Sequence, residues 1–234
     1  MHLEPNKKEI AQFYDGFKHH QQNLGITLRH RKIFKTLLNL GIQKTDAILE
    51  IGCGIGTVSS LILPYNPKGH YTAVDISPDS IALAKQHLSH FKHASFVVSD
   101  MSDFKSEWRY NWMVLPDVLE HIPVSLHPMV FKTLQAHAAP HCRILIHIPH
   151  PERIRWLHQH QAQSLQIIDQ DLNIVELIQV MQSCGFEMSY FNEYALHHKP
   201  YDYITMVFRL QTQEVPFKLK STWRRAWENW LSKW

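Results

Sequence analysis

Apolar residues recur at helical spacing through positions 10–40, with Ile10, Phe13, Tyr14 and Phe17 in one group and Ile33, Phe34, Leu37, Leu38 and Leu40 in the next. This predicts two N-terminal helices covering one end of a core. Five short apolar runs follow, at 47–51, 71–76, 95–98, 112–115 and 143–148, each separated by a stretch long enough for a helix. Strands alternating with helices at this pace predict βαβ units and a parallel sheet. After Pro149 the pattern changes: positions 151–170 are polar, rich in Arg, His and Gln, and too long for an ordinary connection, so they read as a cap or loop on the substrate side. A helix over 173–183, ending at Gly185, and two alternating segments at 186–194 and 203–210 close the domain as an antiparallel pair.

Composition narrows the class. At 234 residues and 44% hydrophobic content the chain can bury one large core, with no repeat and no low-complexity linker. Its formal charge of +3 is too small for electrostatic binding of nucleic acid. The three cysteines, Cys53, Cys142 and Cys184, lack CxxC spacing, and no leader-like segment opens the chain, so a reducing, cytoplasmic setting is expected. No apolar run approaches the roughly 20 residues of a membrane span. Eighteen histidines, mostly single or in pairs such as His19-His20, form no recognisable ligand spacing.

The chemistry concentrates at the ends of the first three strands. Glu50 leads into Gly52, Gly54 and Gly56, and 57–63 reads as a helix whose first N–H groups could face an anion. A nicotinamide fingerprint would need a third glycine where Thr57 stands. The spacing is therefore G-x-G-x-G behind an acidic residue. Asp75 ends the second strand, placed to accept hydrogen bonds from a ribose diol, and Asp100 followed by Met101 ends the third at the same sheet edge.

Four ordered motifs, ILEIGCGIGTVSS, YTAVDISPDSIALAKQ, VVSDM and MVLPDVLEHIP, span roughly Ala47 to Pro149 and resemble the class I S-adenosylmethionine-dependent methyltransferases, in the broad group with ubiquinone-pathway and small-molecule O-methyltransferases. The resemblance implies a Rossmann-like, doubly wound α/β fold: a mostly parallel seven-stranded sheet with an antiparallel last strand and helices on both faces. It divides the chain into N-terminal helices on the acceptor side (1–46), a core (47–212) with a cap-like insertion near 150–170, and a C-terminal amphipathic helix (213–234). It implies S-adenosylmethionine as cofactor and S-adenosylhomocysteine as product. Gly52, Gly54 and Gly56 would border the methionyl part with Glu50 supporting the turn. Asp75 would hold the ribose hydroxyls, Ile76 would pack on the adenine, and Asp100 with the Met101 backbone would meet the adenine edge.

Methyl transfer from a sulfonium is an in-line displacement, so a base is needed only where the nucleophile starts protonated. Histidine titrates near neutral pH, which makes His121, at the end of the fourth strand, the first candidate base, with His150 and His147 after the fifth. Asp117, Glu120 and His121 form D-x-x-E-H, similar to the E-x-x-E-H that binds a divalent ion in catechol-type ubiquinone methyltransferases. The shorter Asp117 behind Pro116 departs from that pattern, so no metal is expected and Asp117 stands as a catalytic candidate.

The segment 150–170, the N-terminal helices and the Tyr201-Asp202-Tyr203 turn are expected to shape the acceptor pocket, and their His, Arg and Tyr content suits an anionic or hydroxylated ligand. In the tail, Leu219, Trp223, Trp227, Trp230 and Trp234 make one stripe among Lys218, Lys220, Arg224, Arg225 and Lys233. Such a helix could lie at the inner face of a membrane or pack across a homodimer. The expected activity is O-methylation of a small-molecule, sugar or lipid-linked acceptor, with N-methylation next. A non-catalytic adaptor acting through the tail is the alternative from another class. Nucleic-acid methylation would need a basic channel, for which Arg153, Arg155, His158 and His160 supply little with Trp156 alone to stack on bases. A nucleotide-sugar oxidoreductase would need a Tyr-x-x-x-Lys sequence, which is absent.

Overall fold

The computed structural model describes residues 7–211; the C-terminal helix expected over 213–234, with its membrane or dimer contact, lies outside the described residues. Two helices, α1 (Lys7–Leu24) and α2 (Leu28–Asn39), precede β1 (Ala47–Ile51), α3 (Ser59–Ile62), β2 (His70–Asp75), α4 (Pro78–Leu88), β3 (Ala94–Val98) and β4 (Tyr110–Pro116). Then come α5 (His127–His137), β5 (Ala138–Pro149), α6 (Pro151–His160), α7 (Ile174–Ser183), β6 (Phe186–Tyr194) and β7 (Tyr203–Leu210). All strands join one sheet in the order β3-β2-β1-β4-β5-β7-β6. β1 to β5 are parallel, and β7 runs antiparallel between β5 and β6. This is the doubly wound, mostly parallel fold that the motifs imply.

Successive strand side chains point to opposite faces, so a strand covered on both sides needs an apolar residue at nearly every position. β1 is buried at all five of its positions. Leu49, Met113, Leu115, Ile144 and Ile146 face one core with Phe131 and Leu134 of α5 and Met181 of α7. Their strand neighbours Ile48, Trp112, Val114 and Leu145 face the other, with Ile33 and Leu37 of α2 and Ile81 of α4. Cys53, Cys142 and Cys184 are buried free thiols within these cores.

Local chemistry sets the helix starts. Ser77 caps α4, its Oγ accepting from the Ser80 N–H at 3.0 Å with Pro78 in the first turn. Asn173 caps α7, its Oδ1 accepting from Val175 and Glu176, and Gly185 at φ +78 ends that helix. The stretch after Pro149, expected as a cap or loop, opens with a helix, because His150 Nδ1 caps the Glu152 N–H at 3.2 Å and Pro151 starts α6, and continues beyond His160 largely as loop. Among the described residues no helix is long and apolar enough to cross a membrane.

Candidate active site

In a parallel sheet every strand delivers its C-terminal end to one edge, and β1 is the strand from which the order turns both ways, toward β2 and toward β4. A cavity of about 640 Å³ opens there. Glu50, Gly52, Asp75, Ile76, Asp100 and Met101 line its inner half. Arg29, Asp117, Glu120, His121, Arg153 and Tyr203 line its outer half, beneath apolar side chains that include Ile10, Phe13, Leu24, Leu126, Met129 and Leu157.

The glycine turn is required by packing as much as by any ligand. Gly52 has φ +73, and a Cβ there would fall 2.5 Å from Val118 Cγ2; Gly56 has φ +84, with Leu88 Cδ1 at 2.7 Å. Of the three glycines only Gly52 lines the cavity; Gly54, at φ +53, turns its N–H to Asp75 Oδ2 at 2.7 Å. The helix expected over 57–63 shortens to the four residues of α3, too short to present an anion with a set of aligned N–H groups.

Glu50 is completely buried. Its Oε2 accepts from the hydroxyls of Ser59 and Tyr71, the latter at 2.6 Å, while Oε1 has no hydrogen-bond partner among the described residues. Burial pushes this carboxyl up from 4.5 to about 7. Asp75 accepts one backbone N–H on each oxygen, from Gly54 on Oδ2 and from Ser77 on Oδ1 at 2.9 Å. Burial raises its pKa and these N–H groups partly offset the rise. Each of its oxygens keeps a lone pair for a further donor. Met101, at φ +70, donates its N–H to Ser99 Oγ at 3.0 Å, and Asp100 Oδ1 accepts from the Ser102 N–H at 3.0 Å and from the Ser102 hydroxyl at 2.6 Å.

Asp117 sits at φ +54, a left-handed conformation that Asp tolerates better than most residues. Its Oδ2 pairs with Arg29 Nε at 3.1 Å and its Oδ1 with His147 Nδ1 at 2.6 Å. Burial raises this carboxyl, but Arg29 and His147 more than offset it and hold it down at about 2. His147, with no exposed surface, carries the chain on through Nε2 to the Tyr194 hydroxyl, whose ring lies 4.5 Å from Lys32 Nζ. Asp117 is thus committed to an ionic chain binding α2 to the sheet. Among the described residues no group of three or more His, Cys, Asp and Glu side chains is arranged to hold a metal ion.

His121 lines the cavity with Nδ1 held by the Ile168 carbonyl and by Asp169 Oδ1 at 3.2 Å. A carbonyl only accepts, so Nδ1 carries the proton and Nε2 presents a lone pair. Burial lowers the pKa of this imidazole, with Asp169 and Ile168 acting against the drop. His150, the second candidate, does not line the cavity: it caps α6 through Nδ1 and faces Glu193 at 3.3 Å through Nε2.

Of the segments expected to shape the acceptor pocket, Arg153 and Tyr203 line the cavity, Arg153 donating to the Tyr203 hydroxyl at 3.3 Å. Arg155 instead pairs with Asp171 at 3.1 Å, Tyr201 donates to Glu152, and Asp202 holds the N–H groups of Leu196, His197 and His198. Sequence reasoning missed Arg29 and Asp169. Arg29 reads as a solvated helix residue, and Asp169 sits in a polar stretch with nothing to single it out.

A family model described as "Methyltransferase domain" matches residues 19–191. Malonyl-[acyl-carrier protein] O-methyltransferase 1 of Ilyobacter polytropus is 32% identical over 106 residues, covering 45% of this chain and 40% of that protein. Nodulation protein S of Sinorhizobium fredii is 28% identical over 94 residues, covering 40% and 42%. The chain spans about two-fifths of the length of these curated relatives. A solved 1,6-didemethyltoxoflavin-N1-methyltransferase of Burkholderia thailandensis, with bound 1,6-didemethyltoxoflavin and S-adenosylhomocysteine, aligns with a TM-score of 0.68 over 91% of this chain and 93% of that one; at 15% identity this likeness is one of fold.

Proposed function

The chain belongs to the methyltransferase-domain family as a class I S-adenosylmethionine-dependent enzyme, and from that premise we propose that it O-methylates a small-molecule or lipid-linked acceptor with an apolar body. The observation that carries this reading is the continuity of the cavity, which joins Glu50, Gly52 and Asp75 to His121 under one apolar wall.

The inner half fits the cofactor. Glu50 Oε1 is a buried acceptor without a donor among the described residues, suited to the ammonium of the methionyl part. The remaining lone pairs of Asp75 suit the two hydroxyls of a ribose. When bound, S-adenosylmethionine supplies the methyl group as a sulfonium and leaves as S-adenosylhomocysteine.

The chain's own work is positioning, water exclusion and proton removal. The apolar wall from α1, α5 and α6 covers the outer half, which favours a hydrophobic or lipid-linked acceptor over a bare sugar and keeps water from competing as nucleophile. Asp169 and the Ile168 carbonyl orient His121, and burial keeps it neutral, so Nε2 can take the proton of an acceptor hydroxyl as its oxygen bonds to the methyl carbon. The same base would serve an amine, and the relatives include one named for O-methylation.

Calorimetric titration of the full chain with S-adenosylmethionine, S-adenosylhomocysteine and NAD tests the reading. The two sulfur ligands should bind and NAD should not. Asp75→Asn, which keeps one acceptor oxygen, should weaken binding by about 10-fold, and Asp75→Ala by about 100-fold, as one and then two hydrogen bonds to a charged group are lost. No binding to the wild type, or unchanged binding to both variants, overturns it.

A further inference from the structure

Most polar side chains of the outer half are satisfied by one another. Arg29 and Asp117 form one pair, extended by His147. His121 and Asp169 form another, and the second carboxylate oxygen of Asp169 takes the Gln166 N–H at 2.7 Å. Gln166 Oε1 is buried without a hydrogen-bond partner among the described residues, and two charged side chains are left over. Glu120 is 1% exposed and lines the cavity, yet neither of its carboxylate oxygens has a hydrogen-bond partner among the described residues; the unprotonated His121 Nε2 lies 3.8 Å from Oε1 and offers it no proton. Arg153 also lines the cavity and has no carboxylate within 4 Å among the described residues. Its guanidinium donates to the Tyr203 hydroxyl and lies 5.5 Å from that ring's centroid.

Leaving a buried carboxyl unpartnered costs more than most single contacts return, so a group in this position marks a place where the working complex supplies the donor. A guanidinium in an apolar-walled cleft without a counter-ion marks, by the same reasoning, a place for an anion. We propose that the acceptor carries a carboxylate that docks on Arg153 and a hydrogen-bond donor, hydroxyl or amine, that docks on Glu120. The acceptor class is then a hydroxy or amino acid with an apolar body. This rests on reading the cavity as a methyltransferase site, and it narrows that reading to a molecule with two polar groups of opposite character.

Three probes separate the two contacts: 3-phenyllactate, which has both groups; 3-phenylpropionate, which lacks the hydroxyl; and 3-phenyllactamide, which lacks the charge. Each is titrated into the full chain saturated with S-adenosylhomocysteine. The wild type should bind phenyllactate at least about 10-fold more tightly than either of the others. Arg153→Gln should abolish the preference over the amide while keeping that over phenylpropionate, and Glu120→Leu should do the reverse. Affinity for S-adenosylhomocysteine in each variant reports that the fold is intact. Equal or absent binding of the three probes to the loaded wild type, or preferences unchanged by the variants, overturns the inference. Failure of the wild type to bind S-adenosylhomocysteine overturns the cofactor reading instead.

Discussion

Replacing Glu50 by Gln should make the cofactor-free protein's stability depend less on pH and weaken its hold on the cofactor. Glu50 has no solvent exposure, two hydroxyl donors on Oε2 and, among the described residues, none on Oε1, and its carboxyl is pushed from 4.5 to about 7 by burial. A raised carboxyl binds its proton more tightly folded than unfolded. Its contribution is therefore complete below pH 4.5 and is lost as pH rises through about 7. That interval corresponds to about 3 kcal/mol, at about 1.4 kcal/mol for each pH unit. The amide cannot ionise, so urea unfolding at pH 4.5 and pH 8 should show the variant gaining on the wild type by about 2–3 kcal/mol between the two. Other titrating groups cancel in this difference. At pH 8 calorimetry should find S-adenosylmethionine bound about 10- to 100-fold more weakly by the variant, because an ammonium would meet an amide rather than a carboxylate. Parallel stability curves would refute the argument from burial; undiminished affinity would refute the role given to Oε1.

Three other substitutions probe the site. His121→Ala should slow methyl transfer by two to four orders of magnitude, about the worth of a positioned base, with S-adenosylmethionine affinity held; an unchanged rate would mean that no base acts there. Asp117→Asn keeps a residue tolerant of the left-handed backbone but removes the charge facing Arg29 and His147, and should cost about 2–3 kcal/mol in denaturant unfolding, below the usual range for a buried pair because the Arg29 side chain is 31% exposed. In the wild type that pair holds its carboxyl at about 2, so its contribution is present above the ordinary aspartate value of 3.8 and fades as pH falls toward 2. Gly52→Ala forces a Cβ against Val118 at a positive φ and should cost about 2–4 kcal/mol; Val118→Ala should recover part of it, and a stable single variant would show the turn to be freer than its geometry.

The central sheet was legible because burial on both faces leaves a direct trace: the apolar run at 47–51 marks β1 at its observed bounds, and the alternating segments at 186–194 and 203–210 mark β6 and β7 at theirs. β5 starts earlier than its apolar run, since Ala138 and Pro140 join the strand with side chains that carry little signal. His150-Pro151 was present as a helix-start signal, yet a histidine is an uncommon cap, so the residue read as a candidate base and the segment as a cap or loop with no helix marked in it. The cofactor half was readable from ordered motifs, because strand ends place its residues. The acceptor half was not. Asp117 meets His147 thirty positions away and Arg29 from a helix on the far side of β1, and pairings set by tertiary contact leave no periodicity to find.

The two halves of the cavity draw on different parts of the chain, and this has an evolutionary reading. Glu50, Gly52 and Asp75 are held by the strands and turns on which the core depends, so change there costs folding as well as binding. Arg153 and Asp169 come from the covering segment beyond β5, outside the sheet. Selection could exchange that segment and redirect the enzyme to a new acceptor while inheriting the cofactor pocket intact. For protein engineering, a graft of residues 150–170 from a relative should accordingly exchange the Arg153 contact while leaving that of Glu120, after β4, in place.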